Sequence, residues 1–151
     1  MKTYVGTQLE SQIKKYITDT ISKPRKKLGG LAICPFAKKF LSQTHIVITN
    51  DYAKTLDIAV QLMGVLGFEV VVIGGKYIKV EKIEDIVDRA VKKYKNYDVE
   101  ILRMHPDTVE PPLPLEYNFK HSPLIIVQKR STLQTHRKIL EKRTDYYKYH
   151  K

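Results

Sequence analysis

"HIVITNDYAKTLDIAVQLMGVLGFEVVVIGG", residues 45–75, decides the fold of this chain. His45 to Thr49 is a continuous β-branched run, the pattern of a strand covered on both faces. Asn50 or Asp51 then stands where a helix N-cap belongs. Leu56, Ala59, Leu62, Met63 and Leu66 recur at helical spacing, and Gly67 supplies a C-terminal stop. "FEVVVIGG" follows as a second buried strand. Strands alternating with amphipathic helices imply an α/β architecture, with helices packed on a sheet.

The flanking segments extend this alternation. Upstream, Thr7 and Glu10 have capping-box spacing, and Leu9, Ile13, Tyr16, Ile17 and Ile21 form a helical stripe that Pro24 ends, giving an N-terminal helix within 1–24. A basic loop, "KPRKKLGG", leads to "CPFAKKFLSQ", which reads as a short helix with Pro35 at its first position and Phe36 and Phe40 on one face. Downstream, "KYIKVEK" alternates like an edge strand that pairs back through a Gly74–Gly75 hairpin turn. Ile83, Ile86, Val87, Ala90, Val91 and Tyr94 then mark an amphipathic helix. "DVEILRM" is a third core strand ending at His105–Pro106. A long proline-rich loop covers 106–123, "LIIVQ" is a fourth strand, and Ser131 with Gln134 opens a last helix through Leu133, Ile139 and Leu140. The tail, 144–151, is aromatic and basic. The expectation is a single α/β domain over 1–151, a sandwich with a four- or five-stranded mixed sheet and helices packed on it.

Composition narrows the function classes. The chain has 151 residues, enough for one core, and no apolar run long enough to span a bilayer. The first residues lack the apolar stretch of a secretory signal, and the one cysteine cannot form an internal disulfide. A reduced, cytoplasmic protein with no membrane partner is expected. No histidine or cysteine spacing suits a metal, and no cofactor motif is present; "IGGK" at 73–76 lacks both the dinucleotide and the P-loop pattern. The formal net charge is +11 and the pI about 9.6. That surplus suits nucleic acid or an acidic protein surface, although lysines scattered over helix faces also serve solubility alone.

Two residues stand out for chemistry. Cys34 falls at or before a helix N-terminus, with Lys38 and Lys39 a turn further on; both features favour the nucleophilic thiolate. The alternative is a small buried residue that does not react. His105 falls at the carboxyl end of a core strand, where open α/β sheets place ligands. In that position it serves as base or thiolate partner, or merely packs. Asp107 is placed to orient it. Asn118, His121 and Ser122 arrive from the long loop at the sheet edge, and no G-x-S-x-G elbow surrounds Ser122. Arg103, Lys129 and Arg130 are candidates to bind a phosphate or carboxylate.

"LAICPFAKKF" and "MHP…NFKHSPLIIVQKR" together resemble the bacterial domain-of-unknown-function family 1415, whose members carry a C-P-F-A segment after an N-terminal helix, a strand ending in His-Pro, and Asn-Arg-Ser-Pro before an apolar strand. On that resemblance Cys34, Pro35, Phe36 and Ala37 occupy the first motif. His105 and Pro106 occupy the second. Asn118, Ser122 and Pro123 fall on the third, with Lys129 or Arg130 at its basic end. His121 stands where the family has arginine. The resemblance implies that the three segments share one site; it implies no activity. The C-P-F run is also similar to the helix start of glutaredoxin-like and glutathione-transferase-like proteins, in which it follows a core strand. Here a long helix and a basic loop precede it. The functional expectation is a Cys34–His105 pocket that binds or acts on a small anionic molecule, with Cys34 as nucleophile and His105 as its base. The alternative is a non-catalytic basic module for nucleic acid or an acidic protein.

Overall fold

The computed structural model describes residues 2–21, 43–108, 118–132, 134–135 and 138. The element order begins with helix α1 (Lys2–Tyr16), which runs on as a π-helix (Ile17–Ile21), followed by β1 (Thr44–Thr49), α2 (Tyr52–Leu66) and β2 (Val70–Gly75). Helix α3 (Val80–Lys93), β3 (Val99–Met104) and β4 (Leu124–Lys129) complete it. The protein is α/β, with one four-stranded mixed sheet in the order β1-β2-β4-β3 and helices packed against it.

The strand directions place the site. β1 is parallel to β2, with Ile46 beside Val72. β4 is antiparallel to both β2 and β3. β1, β2 and β3 therefore all finish at one end of the sheet, and β4 begins there. Alternation along each strand sends successive side chains to opposite faces. Val71, Ile73, Ile101, Ile125 and Val127 meet α2 and α3 through Leu56, Val60, Met63, Ile83 and Val87. The other face, with Val72, Leu124 and Ile126, meets α1 through Leu9, Ile13 and Tyr16, and Phe119 joins them.

Helix α2 has the expected stops. The Asp51 side chain accepts from the Lys54 N–H at 3.1 Å, and Gly67 closes the helix at φ 71° with its N–H on the Met63 carbonyl. Several expectations need correcting. Thr7 and Glu10 lie inside α1, which starts before them. "KYIKVEK" contains no strand: Tyr77 to Lys79 are a connection and Val80 begins α3. Its alternation arises because only Ile78 and one side of the first α3 turn face inward.

Gly74 and Gly75 make no hairpin; both lie in β2. A Cβ on Gly74 would meet Ile13 of α1 at 2.8 Å, and one on Gly75 would strike the Thr49 carbonyl of β1. Glycine here permits close approach, not a reversal. β1 is an edge strand, half-buried along most of its length, where cover on both faces was expected. At the last helix the cap comes from outside the capping box: Asp98, before β3, accepts from the Ser131 N–H at 2.7 Å and from its hydroxyl at 2.5 Å. The C-P-F-A segment, the centre of the long loop and the tail lie outside the described residues.

Candidate functional site

The connection from β2 to α3 and the segment after β3 meet at one end of the sheet, and His105 joins them. It follows β3 directly, bridges to Thr108, and is only 3% exposed. Its Nε2 lies 2.7 Å from the Ile78 carbonyl, in the connection between β2 and α3. A carbonyl only accepts, so Nε2 carries the proton. The Asp107 backbone N–H donates to Nδ1 at 3.0 Å, which makes Nδ1 the unprotonated nitrogen. Both ring nitrogens are thus engaged within the protein, and the ring ties one loop to the next.

Neighbouring residues reinforce this tie. The Tyr77 ring meets His105 edge-on at 5.3 Å, and its hydroxyl donates to the Asp107 carboxylate at 2.5 Å. That hydrogen bond to a carboxylate holds the Tyr77 phenol above its usual pKa. Asn118, 6% exposed, donates its amide to the carbonyls of His105 at 2.9 Å, Pro106 at 3.4 Å and Thr108 at 3.2 Å. Tyr52, at the start of α2, donates to the Pro123 carbonyl at 3.0 Å, and burial pushes its phenol pKa well up.

A cavity of about 100 Å³ opens beside these loops. Val80 and Ile83 of α3 line it, as do Arg103 and Met104 of β3, His105 just after that strand, Thr108 and Asn118. Arg103 stands 3.9 Å from Glu84. Exposed Lys76, Lys79 and Lys120 lie in segments at the same end of the sheet. Sequence reasoning did not find Tyr77 and Ile78, because their segment read as a strand.

The expected site residues divide between places. His105, Asp107, Asn118 and Arg103 come together. Ser122 is buried, with its hydroxyl donating to the Pro123 carbonyl at 3.0 Å. His121 is exposed, with its ring against Phe119 at 5.4 Å. Lys129 and Arg130 sit at the opposite end of the sheet, because β4 runs antiparallel and carries them away by roughly 17 Å at the usual strand rise. There Lys129 lies 3.8 Å from Glu69, and Arg130 donates to the Val99 carbonyl at 2.8 Å. Cys34, Pro35 and Phe36 lie outside the described residues.

These features define an α/β protein with a small crevice at the carboxyl end of its edge strand β3, beside the start of α3. The chain is similar to the DNA double-strand break repair protein Mre11 of Methanocaldococcus jannaschii, at 28% identity over 140 residues. The match covers 90% of this chain and 34% of that protein, so the chain spans about a third of the length of the curated relative it matches. No family model and no solved structure matches it. Among the described residues, no helix is long and apolar enough to cross a membrane.

Proposed function

We propose that this chain is a nucleic-acid-associated α/β module that binds through its basic surface and has no chemistry centred on His105. The observation that carries the reading is the likeness to a DNA repair protein along nearly the whole chain. The net charge of +11 supports it, as does the run from 22 to 42, which holds six lysines and arginines and no acidic residue. His105 supports it from the other side: with both ring nitrogens engaged, accepting a proton from a thiol means first giving up the Asp107 N–H.

The test is binding of single- and double-stranded oligonucleotides across a salt series. Phosphate neutralisation predicts that log K falls linearly with log salt, with a slope near −0.9 for each phosphate contacted on duplex DNA. An affinity that does not respond to salt, or no binding at low salt, overturns the reading. An acidic protein surface would show salt dependence toward polyglutamate as well as toward nucleic acid.

The cavity beside Arg103 favours a second reading, a pocket for a small anionic molecule with Cys34 as its thiol. It predicts that a thiol-directed probe labels Cys34 rapidly and that inorganic phosphate or a small carboxylate slows the labelling. Slow labelling that neither anion affects rejects it.

A further inference from the structure

We propose that His105, Asp107 and Tyr77 form a pH-sensitive latch: protonation of the buried imidazole draws the Asp107 carboxylate off Tyr77 and so releases one tie on the connection between β2 and α3. The latch is independent of what the basic surface binds. Its starting point is the neutral ring. Nε2 donates to the Ile78 carbonyl, and Nδ1 accepts from the Asp107 backbone N–H. Histidine is the side chain that ordinarily changes charge between about pH 5 and 8. Nε2 already carries a proton, so a second one goes to Nδ1. Nδ1–H then points at the Asp107 N–H, donor against donor, and that bond is lost.

One acceptor stands close. Asp107 Oδ2 lies 4.0 Å from Nδ1, and the same oxygen accepts from the Tyr77 hydroxyl at 2.5 Å. Once the ring is charged, two donors compete for one oxygen. Their alternatives are unequal. Tyr77 is 58% exposed, and its hydroxyl can turn to water. His105 is 3% exposed, and a buried cationic N–H left unsatisfied costs more than an exposed neutral one. The carboxylate therefore goes to the imidazolium in a charge-assisted bond, and Tyr77 lets go. The Ile78 tie is kept, because Nε2 donates in both states.

The charges around the ring set the pH at which this happens. Arg103 of β3 lines the same cavity as His105 and opposes a second positive charge; Glu84 of α3, 3.9 Å from Arg103, offsets it. Glu81, in the first turn of α3, bears on the Tyr77 phenol. Lys76 and Lys79 flank Tyr77 and are exposed. Asn118 meets the turn through a neutral amide, and Lys120 and His121 beyond it are exposed. Asp107 is thus the carboxylate within reach of Nδ1, and the segment it releases carries two lysines.

The experiment follows the full chain by NMR from about pH 8 to about pH 5, reading the His105 ring nitrogens, the Asp107 backbone amide and the Tyr77 ring. One midpoint shared by all three is expected, with Nδ1 as the nitrogen that gains the proton. In Asp107→Asn the imidazolium loses its anionic acceptor. Its midpoint should fall by about one pH unit or more, and the Tyr77 ring should no longer follow it. Tyr77→Phe leaves Oδ2 with one claimant and should raise the midpoint. A His105 ring that stays neutral until the chain unfolds overturns the latch. A His105 transition without a Tyr77 response overturns it too, as does a Tyr77 response that survives Asp107→Asn. If Asp107→Asn does not fold, Tyr77→Phe carries the test, and a midpoint that is unchanged or lower overturns the proposal.

Discussion

Replacing His105 with phenylalanine keeps an aromatic ring of similar size and removes both hydrogen bonds of the imidazole. The Ile78 carbonyl loses its partner at 2.7 Å in a buried setting, since Ile78 is 8% exposed. An unsatisfied buried group of this kind costs about 1–3 kcal/mol. The Asp107 N–H loses its partner at 3.0 Å, but Asp107 is exposed and water replaces most of that bond. A further ~0.5 kcal/mol covers it. The expected destabilisation is therefore about 1.5–3.5 kcal/mol, or roughly 3–14 °C in Tm for a chain of this size. Urea unfolding followed by circular dichroism reads it as a lower midpoint at unchanged m. Amide exchange should also quicken in the connection from Tyr77 to Lys79. A loss under about 0.5 kcal/mol would refute the argument that His105 ties these loops together, and would restore the imidazole as a candidate for chemistry.

Gly75→Ala places a methyl group against the Thr49 carbonyl, a backbone atom that cannot swing away. A loss of about 2–3 kcal/mol is expected in denaturant unfolding; wild-type stability would show that β1 and β2 separate freely there. Burial raises the phenol pKa of Tyr16 and Tyr52 above 10.0, so unfolded chains ionise first. Their stabilising contribution is complete below pH 10.0 and is lost as pH climbs toward the folded values, so the protein should unfold in alkali with both phenols titrating as it does. Tyr52→Phe removes one such group and should raise the alkaline midpoint; titration of both phenols in the folded state would contradict this. Hydrogen bonds from Ser131 hold the Asp98 carboxyl below its usual 3.8, so its contribution is present above that value and disappears as pH falls through the folded one. Asp98→Ala should weaken the helical turn at Arg130 by about 0.5–1 kcal/mol at neutral pH and have no effect in strong acid, read by urea unfolding at both pH values.

The strands were legible because burial writes itself into composition. "HIVIT", "VVVIGG", "VEILRM" and "LIIVQ" are apolar runs that must leave water, and α2 declares its ends with Asp51 and Gly67. Two of the failures share a cause. Local patterns at Gly74–Gly75 and Ser131–Gln134 each suit a turn or cap, but distant segments settled them: Ile13 and Thr49 press on the glycines, and Asp98 reaches Ser131 across 33 residues.

The same division holds for the site. Sequence alone determined that His105 follows a strand and that the chain is strongly basic; it read that strand as central, whereas β3 lies at the edge of the sheet. It also determined the α/β class, because the hydrophobic period is local. Only the tertiary structure decided the strand order, and strand order turns on which edges find partners over long separations. Once β4 inserts antiparallel between β2 and β3, Lys129 and Arg130 go to one end of the sheet. His105, Arg103 and Asn118 stay together at the other, around a small cavity.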